Sequence, residues 1–569
     1  MSFFRRLQPH WLATCRADTF VGDLIAGLIV TVLVIPQSLA YAMLAGLPAE
    51  VGLYASILPV AAYALVGSSM TQAVGPVAII AMMTASVLGP LAVPGSSTYQ
   101  GLASSLSLLS GGLLLAGGVL RLGFLAQLLS CPVMAAFLAG SAILIILGQV
   151  KYLFGLPSSM SGMWPVLSVW RQLTDIHLPT ALIALVTLLL LTLGRRAVVW
   201  SLARVGVGAI SAGFAVRLLP VTVVGCWTLA VIVFDLDRSH GVAVIGQVVE
   251  GLPSLLFFIP TLETVQILLV PAATLALVGM VQNVTMAQAL AIKRHEPFSA
   301  NAELFGLGLA NIVTAFHGGM PVGGGLSRSA VNEAAGARTP LAGVVSAVAM
   351  ALVAVGAAHW FSRVPLAVLA ANIIVGAWRM IDLRTFRRAW AYDRADGIAY
   401  LGTAIGVLVV GPATGIGLGI VLSMGTLLLR ASTPHIAVIG RVPGTEHFRN
   451  IERHRVETLP QVIFMRIDES LFFGNLGPVE LRLKQTLAAS PAVRHLVLAM
   501  GAVNRLDATA VEVLGEINRD LSARQIRLHL AEVKGPVQDR LVNTAFWETL
   551  SGEVFLSTNA AFEQLRQAR

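Results

Sequence analysis

Charge is what this 569-residue sequence has least of: Lys, Arg, Asp and Glu make up 12% of it, about half the share of a soluble domain. The shortage is uneven. Residues 431–569 carry 16 basic and 15 acidic side chains, which leaves 36 charges for the first 430 residues. Between Leu24 and Leu147 only Glu50 and Arg121 are charged. With a mean hydropathy of +0.80, that first part is excluded as a water-soluble globule. Its apolar runs are also too long and too continuous for an outer-membrane barrel, whose strands alternate in polarity. Cysteine is almost missing: Cys15, Cys131 and Cys226 are odd in number and scattered, which excludes a disulfide framework and zinc spacing. No Ser/His/Asp set, metal cluster or phosphate loop is present, so neither an enzyme, nor a metal, nor a cofactor is expected. The N-terminus, with Arg5, Arg6, Arg16, Asp18 and Asp23 ahead of the first apolar run, lacks the short apolar core and cleavage site of a removed signal peptide.

What is there is a polytopic α-helical membrane domain. Apolar stretches fall near 24–45, 51–67, 75–90, 101–120, 124–147, 179–194, 218–234, 266–291, 302–316, 326–336, 341–358, 364–377, 396–410 and 415–429, about fourteen segments. The segment 197–217, with Arg204 and Arg217, reads either as an interfacial helix or as a long loop. The net charge of +9 divides into +1 for residues 431–569 and +8 for the rest, which speaks for topology and against nucleic acid. Arg121, then Arg195, Arg196 and Arg204, then Lys293 and Arg294, then Arg338, then the run from Arg379 to Arg394 occupy even-numbered gaps. Asp235, Asp237, Glu250 and Glu263 lie in an odd one. The positive-inside rule then places the N-terminus and the C-terminal part in the cytoplasm, at a cell inner membrane.

The third and tenth segments are short and broken alike. One follows Gln72-Ala73-Val74-Gly75-Pro76, the other Met320-Pro321-Val322-Gly323-Gly324-Gly325. Proline and glycine cannot sustain a helix there, so each reads as an extended approach followed by a half-helix with unpartnered first amides. Such backbone is tolerated at membrane depth only where it lines a cavity. The two breaks are seven segments apart, the pattern of two inverted seven-segment repeats in a transporter. Half-helix N-termini converging at the midplane would form a site for an anion.

After Arg430 the pattern changes to alternating strands, at 462–467, 495–498 and 526–533, and helices, at 476–489, 508–523 and 535–545. This predicts an α/β domain. The expected division is a cytoplasmic N-terminus over 1–22, a transmembrane anion-transport domain over 23–430, a linker over 431–457 and a cytoplasmic domain over 458–569.

The sequence resembles the SulP sulfate-permease family of anion transporters. The similarity covers nearly the whole chain and is carried by Asp23 to Leu28, Ile35 to Ala42, Gly52-Leu53-Tyr54, Val74 to Ala78, Ser327 to Asn332, Ala335 to Thr339 and Gly440 to Gly444. Asp468 to Phe473, Asn504 to Ala510 and His529 to Val533 resemble the STAS domain, shared by sulfate transporters and anti-sigma-factor antagonists. The resemblance implies a core domain that carries the anion between the half-helices, a gate domain against which the core slides like an elevator, and a homodimer.

Arg328, in the first turn of the second half-helix, is the sharpest site candidate, because an intramembrane Arg is costly unless it faces a polar cavity or a partner. Its alternative is a structural Arg bonded to backbone carbonyls. Ser327 and Ser329 offer hydroxyls, or merely cap the helix. Gln37 and Tyr41 lie one turn apart and can share a cavity; the family's matching positions line the anion pocket. The other role for Gln37 is to bond backbone released by Pro36. Gly75, Pro76, Val77 and Ala78 would contribute amides and close approach. Gln282 stands where many family members carry a carboxylate, and an amide cannot titrate, so coupling to H+ or Na+ through this position is in doubt; Gln282 and Asn283 instead either bond the substrate directly or only a neighbouring helix. In the C-terminal domain Thr509 stands where related antagonists are phosphorylated; as a plain residue it would cap the following helix. The function expected is secondary active transport of an inorganic anion, sulfate foremost. Bicarbonate, a C4-dicarboxylate, or an anion channel or sensor signalling through the STAS domain are the alternatives.

Overall fold

The computed structural model describes residue 11 and residues 17–127, 129–156, 176–204, 209–253, 255 and 259–567. Most of the expected cytoplasmic N-terminus therefore lies outside the described residues, as does Cys15. The chain divides into two units, Met1–Met424 and Gly425–Arg569.

The first unit is helical. Its elements are α1 (Ala17–Leu44), α2 (Ala49–Tyr54), α3 (Leu58–Val66), α4 (Ala78–Leu88), α5 (Ser97–Val119), α6 (Cys131–Phe154), α7 (Leu178–Thr192), α8 (Gly194–Arg204), α9 (Ala209–Phe234), α10 (Leu262–Arg294), α11 (Ala300–Ala315), α12 (Leu326–Ala334), α13 (Leu341–Gly356), α14 (Leu366–Trp378), α15 (Leu383–Tyr392), α16 (Arg394–Val409) and α17 (Pro412–Ser432). Among the described residues seven helical stretches are long and apolar enough to cross a membrane, and four shorter apolar helices accompany them. The packing is that of a bilayer protein: Leu178, Val270 and Leu352 are exposed, whereas Asp23, Ser105, Thr187, Asn283 and Glu303 are buried. Apolar groups outside need no water, and polar groups inside must find protein partners. The segment 197–217 is helical where described, as the end of α8 and the start of α9.

Small residues set the closest helix contacts. A Cβ on Gly111 of α5 would lie 2.8 Å from the Gly308 carbonyl of α11, so the two backbones nearly touch, as glycine allows in membrane helix pairs. Two strands of two residues, β1 (Val74–Gly75) and β2 (Gly323–Gly324), pair antiparallel with Val74 opposite Gly324 and Gly75 opposite Gly323. The half-helices α4 and α12 start just beyond them. The predicted breaks are thus present, and they meet each other.

The second unit holds a six-stranded sheet in the order β4-β3-β5-β6-β7-β8, made of β3 (Ile436–Arg441), β4 (Phe448–Asn450), β5 (Val462–Ile467), β6 (His495–Ala499), β7 (Arg527–Ala531) and β8 (Val554–Phe555). Strands β5 to β8 run parallel, and β3 lies antiparallel to both β4 and β5. Helices α18 (Leu476–Ala488), α19 (Ala508–Ala523), α20 (Gly535–Leu541) and α21 (Thr558–Gln567) complete it. Val462, Phe464 and Val497 pack on one face with Phe562, while Ile463, Met465 and Leu498 pack on the other with Leu483 and Leu514. A parallel sheet covered on both faces needs such continuous apolar strands. The stretch 431–457, expected as a linker, contains the two strands at one edge of this sheet.

Candidate functional site

The crossing of the two broken segments is held together mainly from α12. Arg328 Nη1 donates to the Val74 carbonyl at 3.0 Å and Nη2 to the Pro76 carbonyl at 2.8 Å. The Ala73 amide donates to Ser329 Oγ at 3.0 Å, Asn332 Nδ2 donates to the Thr71 carbonyl at 2.8 Å, and the Gly325 amide donates to the Ala73 carbonyl. Irregular backbone at membrane depth is thereby satisfied by side chains of the opposing segment. Asn311 of α11 does the same for the other strand: its Nδ2 donates to the Val322 carbonyl at 3.0 Å, and its Oδ1 accepts from the Val322 amide at 2.9 Å.

Two glycines make this approach possible. Gly75 has φ +151°, and a Cβ there would lie 2.0 Å from Arg328 Nη1. A Cβ on Gly324 would lie 2.4 Å from Gln72 Nε2 and 2.8 Å from Asn283 Oδ1.

Arg328 is buried, and its Nε has no hydrogen-bond partner among the described residues. The guanidinium therefore does what the structural alternative supposed, binding carbonyls, and it also places a cation where both half-helices begin. Tyr41 lies within electrostatic range of it and is half-buried. Gln37 is half-buried on α1 one turn earlier, and α1 packs against both α4 and α12. Val77 and Ala78 form the N-cap and first residue of α4 without a side-chain cap bond. Gln282 is half-buried, and its Oε1 has no partner among the described residues. Ser327 is exposed, and Gly325 rather than a serine occupies the N-cap of α12. Ser329, by contrast, is buried and engaged with the Ala73 amide.

Sequence reasoning missed Glu303. It lies in the first turn of α11 and is fully buried. Its Oε1 accepts from the amides of Ser68 and Ser69 at 2.9 and 2.8 Å and from Ser68 Oγ at 2.7 Å. Its Oε2 accepts from Tyr63 Oη at 2.6 Å and Asn283 Nδ2 at 2.8 Å. Asn283 Oδ1 in turn accepts from Gln72 Nε2. The available signal was that Glu303 is the one Asp, Glu, Lys or Arg between Glu296 and Arg328.

In the second unit Asp507, not Thr509, caps α19: its carboxylate accepts from the Ala510 amide at 2.8 Å. Thr509 is exposed in the first turn. His529 Nδ1 accepts from the Glu553 amide at 2.9 Å, so its proton sits on Nε2, 3.0 Å from His495 Nδ1. Burial and the neighbouring His495 hold the His529 imidazole down to about 4.

Comparison with known proteins agrees with this architecture. The profile of the sulfate permease family matches residues 20–403, and that of the STAS domain matches residues 453–561. A probable sulfate transporter of Mycobacterium tuberculosis is 33% identical over 570 residues, covering 99% of this chain and 97% of its own. The chloroplastic sulfate transporter 4.1 of Arabidopsis thaliana is 30% identical over 561 residues, covering 96% and 80%. Among solved structures, the murine Solute Carrier 26 family member A9 anion transporter in its inward-facing state superposes with a TM-score of 0.89 at 20% identity over 100% of this chain and 95% of that one. The transmembrane domain of the cyanobacterial bicarbonate transporter BicA gives 0.59 at 22% identity over 72% and 99%. A profile match across the helical unit, a second across the sheet unit and full-length relatives place one conclusion beyond the fold: this chain is a member of the sulfate permease family, a multi-pass membrane anion transporter with a C-terminal STAS domain.

Proposed function

We propose that the protein is a secondary active transporter of sulfate that binds its anion at the crossing of β1 and β2. The observation that carries this reading is the pair of half-helices starting from one antiparallel crossing, with Arg328 beside both starts. Amide dipoles and a guanidinium with no acidic partner among the described residues favour a compact anion in a medium of low dielectric. Arg328 supplies the field, and the first amides of α4, at Val77 and Ala78, and of α12, at Ser327, supply donors. Gly75 and Pro76 give close approach, while Gln37, Tyr41 and Gln282 line the opposite side.

The density of bonds between the two broken segments supports an elevator mechanism, in which they travel together as one body carrying the anion. The N-terminus and the STAS domain are cytoplasmic in this reading, the membrane is the cell's inner membrane, and the working form is a homodimer. Thr509, exposed at the start of α19, is the residue through which phosphate would act on the STAS domain.

Counterflow with labelled sulfate, bicarbonate and succinate on purified protein in liposomes tests the substrate. Sulfate exchange above the other two is expected. Preferential exchange of bicarbonate or succinate would overturn sulfate, and flux without exchange would make the protein a channel.

A further inference from the structure

The polar groups from Glu303 to Gln72 form a directed chain. A carboxylate only accepts hydrogen bonds, so Glu303 compels Asn283 to turn its Nδ2 toward it. Asn283 must then show Oδ1 to Gln72, and Gln72 must answer with Nε2. The free end of the chain is consequently an oxygen. Gln72 Oε1 is buried and has no partner among the described residues, and Gln72 is 7% exposed. Its Nε2 lies beside Gly324, two residues before α12, so the carboxamide sits at the crossing. A bare lone pair is the wrong group to face an anion, and an unpartnered buried acceptor is costly.

We propose that Glu303, Asn283 and Gln72 form a proton-switched relay: a proton on Glu303 reverses both carboxamides and converts the free end of Gln72 from acceptor to donor, so that proton and anion bind cooperatively. The inference rests on the anion-site reading above. The step balances. One proton from water bonds to Glu303 Oε2, and the new O–H donates to Asn283 Oδ1, which has turned toward it. Asn283 Nδ2 now donates to Gln72 Oε1, and Gln72 Nε2 is left free to donate to the anion. Gln72 gives up a weaker contact of 3.3 Å to the Asn283 carbonyl. Tyr63 keeps donating to Oε2, and the Ser68 and Ser69 donors keep Oε1. Loss of the proton reverses every bond.

The surroundings suit a titrating switch. Tyr63 of α3 is the titratable group touching Glu303. On α10 the facing residue is Asn283, while Lys293 and Arg294, farther along, pair with Glu333 and Glu296. On α5, which packs along α11, Gly111 and Gly118 make the close approach, and the titratable Tyr99 donates to the Ala45 carbonyl. Ser68, half-buried, stands between the carboxylate and the end of α3, which gives the proton a short route in. The relay offers a titratable group bonded to Asn283, the residue after Gln282, whose own amide cannot titrate.

The test measures the apparent affinity for labelled sulfate in proteoliposomes at pH 6 and pH 8, a range over which sulfate itself does not titrate. The parent protein is expected to bind about tenfold more tightly at pH 6, one charge-assisted hydrogen bond gained. In Glu303→Gln the carboxamide donates permanently to Asn283, so affinity is high and equal at both values. In Gln72→Met the terminal amide is gone, so affinity is low and equal at both. A flat parent profile, or the parent's slope persisting in Glu303→Gln, overturns the relay; should Glu303→Gln fail to fold, a persisting slope in Gln72→Met does so. If sulfate enters at neither pH, the sulfate reading falls. The relay is then judged by the infrared carbonyl stretch of a protonated carboxyl gained between pH 8 and pH 6: its presence in the parent and loss in Glu303→Gln uphold it, and its absence in the parent overturns it.

Discussion

Replacing Gly75 with alanine perturbs the crossing at one atom. The new Cβ would stand 2.0 Å from Arg328 Nη1 and 3.1 Å from its Cζ. An arginine tip normally moves aside at small cost, but here Nη1 and Nη2 are each tied to a carbonyl, Val74 and Pro76. The backbone cannot yield either, because φ +151° at residue 75 is open to glycine and strained by about 1–3 kcal/mol for alanine. Losing one hydrogen bond from a charged donor adds about 1.5–3 kcal/mol. The sum, about 2.5–6 kcal/mol, lowers the population of the intact crossing roughly 60-fold or more. The assay is sulfate uptake by proteoliposomes, with size-exclusion profiles confirming that the variant folds. Gly417→Ala is the control, since a Cβ there meets open space. Uptake by Gly75→Ala within about twofold of the parent would refute both the packing argument and the placement of the anion site.

Arg328→Lys keeps the charge but not the fork that spans two carbonyls; we expect sulfate affinity to fall by roughly tenfold with partial uptake retained, and Arg328→Ala to abolish uptake, as measured in the same vesicles. Asn311→Leu leaves the Val322 amide and carbonyl unpaired, a loss of about 2–6 kcal/mol that should appear as a lower unfolding temperature in detergent. His529 is held down to about 4 against about 6.5 when unfolded, so the unfolded STAS unit binds the extra proton between those values. Its stability is complete above about pH 6.5 and declines as pH falls toward 4; limited proteolysis of the full chain across that range should show it, and His529→Gln should flatten the dependence. Removing residues 431–569 should weaken dimerisation, read by light scattering, while leaving the ranking of anions in counterflow unchanged.

Much of this architecture is legible in the sequence, for physical reasons. Proline and glycine at Gly75-Pro76 and Pro321 to Gly325 announce broken helices because no other residues do that work, and sparse charge marks the spans. What is hidden depends on the partner a side chain finds. An acid in the first turn of a helix is ordinary, being favoured by the helix dipole, so beyond its isolation in an uncharged stretch nothing local distinguishes Glu303 from a surface residue; only the fold brings Ser68, Ser69, Tyr63 and Asn283 to it. Likewise Asp507 and Thr509 are both good capping residues two positions apart, and the backbone at Asp507 decides between them. Strand β3 escaped notice because its pairing with β5 is nonlocal and its apolar run is short.

The bonds of Arg328 to backbone carbonyls do not exclude the anion role proposed for it. Binding Val74 and Pro76 engages one N–H of each terminal nitrogen, and hydrogen bonding to neutral carbonyls leaves the positive charge uncompensated. A carboxylate partner would have fixed the arginine equally well and cancelled its field. Carbonyls fix it and preserve the field, so the residue that locks the crossing is also the one able to attract an anion to it. Any substitution that supplies an acid near Arg328 should therefore keep the fold and lose the substrate, the reverse of what loss of a purely structural residue would do.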